Sequence, residues 1–441
     1  MARLKHGRVV HEPVNACILL VGQCDGAEVI TVEDLAHGGS LHPVQDAMWR
    51  HHGSQCGFCT PGIVMSLYAL QHAGSRPVTR AKVCDQLAGN LCRCTGYRPI
   101  IDAALEACSQ PPRARAGAAT EAELAALDDE ADVFIGDGSS FFAAPRTEGG
   151  LAQLLARQPQ ATIVSGATDA GLWFTKALVE PRQIVWLGRV RGLGVTGYQG
   201  ADPAVQVLSL GATTTLSDAA ADLATLAPDL AEIIRRFGSA QVRASATVGG
   251  NIANGSPIGD LAPCLIALGA TVELADTTGR RTLPLEDFFI AYRKQDRRPG
   301  EYVRRVMVPK PAPSVQFRAY KLSKRMDEDI SALLGAFAFA LDGRRVAGVR
   351  IAFGGMAGTP VRARHTEALL HGISLDDDRS WAPAITALGQ EFNPLSDHRA
   401  RADYRRIAAG NLLAKALTEL AGAAASSVRI GLAVEALHAG R

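Results

Sequence analysis

In the first quarter of the chain, apolar residues recur at the three- and four-residue spacing of helices buried on one face. Ile63, Val64, Leu67, Tyr68 and Leu70 form one such stripe. Ahead of it Thr60 offers a hydroxyl as an N-cap, and Pro61 suits a first helical position. Similar patterns predict helices over 43–52, over 79–88 up to a stop at Gly89-Asn90, and over 99–107. In the run QPPRARAGAA from Gln110 the periodicity is lost and Pro111-Pro112 ends the preceding helix, which predicts a linker with a short helix over 121–127. From about Ser139 short apolar runs at 162–164 and 205–210 alternate with helical stretches such as 151–157, the texture of mixed α and β layers. Strands over 335–341 and 346–353, followed by helices over 402–420 and 428–438, predict a third unit.

Length and composition narrow the class. The 441 residues exceed one ordinary core, so two or three domains are expected, and 47% hydrophobic residues exclude disorder over most of the chain. A formal net charge of +2 gives no electrostatic basis for nucleic acid or an anionic membrane as partner. The longest uncharged apolar run, 331–341, is too short to cross a bilayer, and MARLKHG lacks the apolar core of a signal peptide. A cytoplasmic protein is expected.

The cysteines change the picture most. Eight of the nine lie within the first 108 residues, and such clustering in a reducing compartment points to metal rather than disulfides. QCGFCTPG at 55–62 and CRCTG at 92–96 place Cys56 and Cys59, then, after 32 intervening residues, Cys92 and Cys94. Four thiolates on two short spacers can hold a tetrahedral metal or a [2Fe–2S] cluster, and each pair precedes a predicted helix whose free amides favour negative charge. Buried structural thiols or zinc are the plainer alternative. Arg93, between two of these cysteines, either tunes such a site or is solvated. Cys84, Cys108 and Cys264 have no ligand-like spacing, and His51-His52, being adjacent, cannot face one site.

The cysteine segments resemble the helical [2Fe–2S] domain of the xanthine oxidase family of molybdenum hydroxylases, which implies Cys56, Cys59, Cys92 and Cys94 as cluster ligands. Val14–Leu20, with Cys17, resembles the last ligand segment of the plant-type [2Fe–2S] domain that comes first in that family, and 29–33 resembles its closing strand. The three earlier cysteines of that pattern are missing. Residues 1–36 therefore read as a remnant, with Cys17 an orphan ligand, part of a sheet unpaired, and a second cluster expected only with a restored amino terminus.

Two Gly-rich segments carry the remaining chemistry. IVSGATDAG at 163–171 follows a strand, and successive amides in such a turn can cradle a pyrophosphate. ATVGGNIANGSPIGD at 246–260 leaves backbone and small polar groups open to a ligand. Neither is a G-x-G-x-x-G in Rossmann context, so on their own they also read as ordinary loops. Both are similar to the FAD domain of the same family, an α/β domain of the vanillyl-alcohol-oxidase-like (PCMH) type. The resemblance implies FAD contacts at Ile163, Val164, Ser165, Gly166, Ala167, Thr168, Asp169 and Ala170. It implies others at Phe237, Thr247, Val248, Gly249, Gly250, Asn251, Asp260, Val303 and Lys321. AFGGMA at 352–357 resembles the family's C-terminal flavoprotein domain.

The resemblance implies an α+β multidomain chain: a ferredoxin remnant (1–36), a helical [2Fe–2S]-binding domain (37–110), a linker (111–137), an FAD-binding domain (138–313) and a C-terminal α+β flavoprotein domain (314–441). It implies the small, electron-transfer subunit of a bacterial xanthine dehydrogenase. A molybdopterin-binding large subunit would oxidise hypoxanthine or xanthine in a two-plus-two assembly, and electrons would leave through [2Fe–2S] and FAD to NAD⁺, with dioxygen the other possible acceptor. No catalytic residue beyond the cofactors is assigned. One face of the helical domain is expected to be an apolar interface with the partner. The alternatives are the same role for an aldehyde or N-heterocycle substrate, and a non-catalytic metal-binding assembly protein with a vestigial flavin fold.

Overall fold

The computed structural model describes residues 1–423 apart from Ser75, Ala114, Ala116, Pro203 and Ala204. The helix expected over 428–438 lies outside the described residues. At the amino terminus β1 (Ala2–Lys5) is the centre of a small antiparallel sheet, flanked by β2 (Arg8–His11) and β3 (Ala27–Glu28). The strand expected over 29–33 does not form. Thr31 instead opens a short 3₁₀ turn over Val32–Leu35, because its backbone N–H is taken by the Asp34 carboxylate.

Four helices follow: α1 (Pro43–Arg50), α2 (Thr60–His72), α3 (Arg80–Leu87) and α4 (Arg98–Ser109). Their apolar stripes meet in one core that includes Val44, Ile63, Leu67, Val83 and Ile100. Thr79 caps α3 as a hydroxyl should, accepting the Lys82 N–H. Thr60 is not a cap. The Ile63 N–H already bonds to the Cys59 carbonyl, so the helix starts one residue early with Cys59 at the cap position.

The stretch expected to be linker is partly ordered into α5 (Glu121–Ala126), closed by a Thr120/Glu123 capping box, and β4 (Val133–Gly136). β4 pairs with β5 (Phe141–Ala144), so it belongs to the sheet that follows. That sheet continues through α6 (Glu148–Arg157), β6 (Thr162–Val164), α7 (Ala170–Leu172) and β7 (Gln183–Trp186), in the order β4-β5-β7-β6 with the last three strands parallel.

A second sheet begins with β8 (Thr196–Gln199) and β9 (Val207–Gly211). Helices α8 (Leu216–Leu226), α9 (Pro228–Arg235), α10 (Ala240–Arg243), α11 (Val248–Asn254) and α12 (Leu261–Ala267) come next, then β10 (Thr271–Ala275), β11 (Arg280–Pro284), α13 (Leu285–Phe288), the β12 (Phe289–Ala291)–β13 (Lys294–Gln295) hairpin and β14 (Tyr302–Pro309). The antiparallel order is β11-β10-β14-β9-β8.

The last unit is an antiparallel sheet of β15 (Val315–Leu322), β16 (Leu333–Asp342), β17 (Arg345–Gly354) and β18 (Val361–Arg362), covered by α14 (Arg364–Leu370), α15 (Ala382–Glu391) and α16 (Ala402–Ala421). Side chains alternate across a strand. Leu334, Ala336 and Ala338 therefore join the core of the preceding unit, while Leu333, Phe337 and Phe339 join the core under α14–α16. Burial on both faces is what the uncharged run over 331–341 encodes. Among the described residues no helix is long and apolar enough to cross a membrane.

Candidate functional site

The two cysteine motifs converge at one end of the helical unit, and their thiols come in two pairs that each join one motif to the other. Cys56 Sγ lies 3.5 Å from Cys94 Sγ, and the Cys59 and Cys92 thiols also hydrogen-bond. Thiolates about 2.3 Å from one tetrahedral metal stand about 3.8 Å apart, so the Cys56–Cys94 pair has the span of a single ion's two ligands. Among the described residues no three His, Cys, Asp or Glu side chains surround one point. Two thiol pairs drawn from the two motifs suit a two-iron cluster, where each iron takes two cysteinates.

The loops supply what thiolates need. Gly57 and Gly96 adopt left-handed backbone (φ 84° and 67°) and fold the loops tightly round the sulfurs. Thr95 Oγ1 lies 3.2 Å from Cys92 Sγ; its hydrogen bond, with those of nearby amides, holds that thiol down at about 7. The Phe58 N–H lowers Cys56 in the same way, and burial pushes Cys59 up to about 11. The Cys92 N–H donates to Tyr97 Oη at 2.8 Å, which ties the second motif to the start of α4. The donor set fits a [2Fe–2S] cluster. Cys56 and Cys94 are exposed, and so are their apolar neighbours Phe58 (95% exposed) and Leu91 (78%), with Trp49 exposed on α1.

Cys17 stands apart. It is exposed on the Asn15–Ile18 turn, whose Ile18 carbonyl lies against Gly171. Cys84 is exposed, whereas Cys108 and Cys264 are buried, with Cys108 pushed up to about 11 by burial. His51 bonds Glu106 at 2.5 Å.

A cleft of about 440 Å³ opens between the two sheets of the central unit. Ile163, Val164, Ser165, Gly166, Ala167, Thr168, Asp169 and Ala170 line it, with Phe237, Thr247, Gly249, Gly250, Asn251 and Val303. The two Gly-rich loops touch behind it: a Cβ on Gly166 would sit 1.9 Å from the Ser245 carbonyl oxygen. Ala167 is left-handed (φ 57°), which turns the amide direction inside the first loop. Thr247 Oγ1 accepts the Gly250 N–H at 3.1 Å.

Three of the expected residues do not line the cleft. Val248 is fully buried, its N–H bonded to the Thr214 carbonyl. Asp260 and Lys321 form a buried ion pair of 2.7 Å, completed by Ser331 Oγ at 2.5 Å from the second Asp260 oxygen. Lining residues with no sequence signal include Trp173, Leu187, Gln295, Arg297 and Tyr302. Arg297 brings a cation to the cleft, anchored on the Glu301 carbonyl at 2.8 Å, and Tyr302 is pushed up to about 12 by burial and Glu148. Apolar walls for rings, close backbone amides and one guanidinium for phosphate fit FAD.

The two sites are joined. Gln241 of α10, just past Phe237, donates to Ser66 Oγ and Asn90 Oδ1, both at 2.9 Å, and Ser66 donates to Asn90 at 2.8 Å. Asn90 is two residues from Cys92. An Arg235–Asp85 pair at 2.5 Å flanks this contact.

Comparisons with known proteins follow the same layout. Residues 31–105 match the [2Fe-2S] binding domain family, 138–311 the FAD binding domain in molybdopterin dehydrogenase, and 318–420 the CO dehydrogenase flavoprotein C-terminal domain. The chain is 31% identical to xanthine dehydrogenase of Drosophila pseudoobscura pseudoobscura over 94% of its own length and 35% of that protein's. It is 28% identical to a nicotinate hydroxylase of Emericella nidulans over 87% of its length and 36% of that protein's. It thus spans about a third of these curated relatives. Among solved structures, a Cu,Mo-CO dehydrogenase chain (TM-score 0.59, 25% identity) is covered completely by 66% of this chain. A chain of quinoline 2-oxidoreductase from Pseudomonas putida 86 (TM-score 0.58, 25% identity) is covered over 98% of its length by 66% of this chain.

Proposed function

We propose a function from one premise: the chain belongs to the xanthine oxidase family of molybdenum hydroxylases, with a [2Fe–2S]-binding unit and an FAD-binding unit. It serves as the electron-transfer part of a xanthine dehydrogenase, working in the cytoplasm between a molybdopterin-bearing partner chain and NAD⁺. Two copies of each chain make up the assembly. When bound, the cluster would carry single electrons, and the flavin would take up two of them with a proton and pass them on as a hydride. The observation that carries this reading is the Gln241–Ser66–Asn90 contact, which fixes the four-thiol site against the flavin cleft within one chain.

The chain's own residues have separate tasks. Cys56, Cys59, Cys92 and Cys94 hold the cluster, and Thr95 and the loop amides stabilise their negative charge. The loop over 163–170, with Gly249, Gly250 and Asn251, binds the pyrophosphate region of FAD, while Phe237, Trp173 and Leu187 exclude water from its rings. Lys321 and Asp260 hold β15 and α12 in fixed register beside the cleft. Exposed Phe58 and Leu91 beside the thiols support docking of the partner there. A second cleft of about 320 Å³, lined by Lys324, Arg399, Arg401 and Tyr404 just beyond Lys321, supports an acceptor that carries phosphates, as NAD⁺ does. The xanthine dehydrogenase relatives support a purine substrate. The nicotinate hydroxylase relative supports the second reading, an N-heterocycle.

The test is Cys92→Ser in the assembled enzyme. Reduction of NAD⁺ by xanthine is expected to vanish while FAD stays bound. Full activity would remove the cluster from the mechanism, and wild-type turnover of nicotinate but not xanthine would move the assignment to the second reading.

A further inference from the structure

The segment over 15–25 carries the orphan Cys17, yet its buried contacts point elsewhere. It crosses the outer side of the loop over 163–171 and touches it at three successive places. The Ile18 carbonyl oxygen occupies the position a Cβ on Gly171 would need, 2.2 Å away, so the two backbones are in direct contact. Leu20 packs into a small core with Val164, Ala167 and Trp186. Gln23, only 5% exposed, takes the Leu20 N–H on Oε1 at 3.0 Å and aims Nε2 at the Ser165 carbonyl at 3.4 Å. Trp186 Nε1 donates to that same carbonyl at 3.0 Å. The carboxyl-terminal end of the segment is anchored twice. Gly22 lies against the Phe142 ring, and Asp25 pairs with the buried Arg189 at 2.7 Å.

Two donors on the Ser165 carbonyl hold that peptide plane with its oxygen away from the cleft. Leu20 meanwhile packs against the small core that contains Ala167, whose strained left-handed backbone needs such support. We infer that this segment is a strap that positions the FAD-binding loop, with Gln23 a positioning residue acting through the Ser165 carbonyl. The inference rests on the reading that the cleft takes FAD.

The test is FAD affinity, measured by quenching of flavin fluorescence in the full-length chain, with the visible absorption of the iron–sulfur site as a check on the rest of the fold. Gly171→Ala adds a methyl whose three nearest neighbours are all atoms of Ile18 in the strap, and it should weaken FAD binding about tenfold or more. Gln23→Leu and Trp186→Phe should each weaken it roughly three- to tenfold, and their effects should fall short of multiplying, because both act on one carbonyl. Should Gly171→Ala fail to fold, the two milder variants decide. Unchanged affinity in both, or strictly multiplying effects, overturns the strap while leaving the flavin reading intact. A wild-type chain that takes up no FAD overturns the flavin reading and the strap with it.

Discussion

Replacing Gly166 with alanine tests the cleft geometry most directly. The new Cβ would stand 1.9 Å from the Ser245 carbonyl oxygen and 2.7 Å from its carbon, inside the 3.0 Å that carbon atoms keep from such neighbours. Both groups are backbone, so no side chain can swing aside. The loops over 163–170 and 246–251 must separate by roughly 1 Å, a backbone shift that typically costs about 1–3 kcal/mol. If the displaced loops are those that hold FAD, this strain appears as a dissociation constant raised about 5- to 150-fold. The assay is titration of the apoprotein with FAD, followed by flavin fluorescence, with flavin content after gel filtration as a second readout. Gly149→Ala on α6 is the control, since a Cβ there meets nothing within 4 Å. It should leave FAD affinity alone and stabilise the chain by about 0.5–1 kcal/mol through helix propensity. Wild-type affinity in Gly166→Ala, with the chain folded, would refute the placement of the flavin between these loops.

Two further predictions concern charge. Lys321→Met leaves the buried Asp260 carboxylate with Ser331 as its remaining partner, which should destabilise the chain by about 3–5 kcal/mol and lower the Tm by roughly 10 °C, visible by calorimetry. An unchanged Tm would show that the pair is not buried in solution. His11 is held down to about 4, first by burial and then by His72, the amino terminus and Arg115, with its ring 4.5 Å from that of His72 and 5.4 Å from Tyr68. A histidine depressed in the fold binds its proton more readily when unfolded. Docking of the amino-terminal sheet on α2 should therefore be intact above pH 6.5 and weaken as pH falls toward 4, by about 1–2 kcal/mol after allowing for solvent screening. Hydrogen exchange of β1 and β2 checks this, and His11→Phe should flatten the dependence.

Helices α1 to α4 were readable because stripe, cap and stop are local signals: Thr79, Pro61 and Gly89-Asn90 act within a few residues. The cysteine ligands were readable for the same reason, each pair being set by a short spacer. The strand expected over 335–341 was readable from its uncharged apolar run, whereas the burial of both its faces showed only in the structure, where it spans Leu333–Asp342. What escaped the sequence is non-local. Arg297 and Tyr302 reach the cleft only because the β12–β13 hairpin and β14 return to it, and nothing in their own neighbours signals that. The 29–33 stretch has strand-like composition, but the Asp34 side chain offers the backbone a competing turn. Val248 sits inside a ligand-like motif, yet helix periodicity turns it into the core.

The contact between α10 and the end of α3 also limits how the chain can be divided. Ser66 and Gln241 are 1% and 7% exposed, and Gln241 Oε1 is buried without a hydrogen-bond partner among the described residues. Cutting between residues 110 and 120 to express the halves separately would hydrate these side chains and the Gly89 backbone packed against the Ser239 side chain. Each half would then carry a wet scar where the other belongs. Recombining them would require that water to be expelled again. Chimaeras between relatives should therefore exchange Ser66, Gly89, Asn90, Ser239 and Gln241 together, as a single heritable block, whichever cofactor unit is being transplanted.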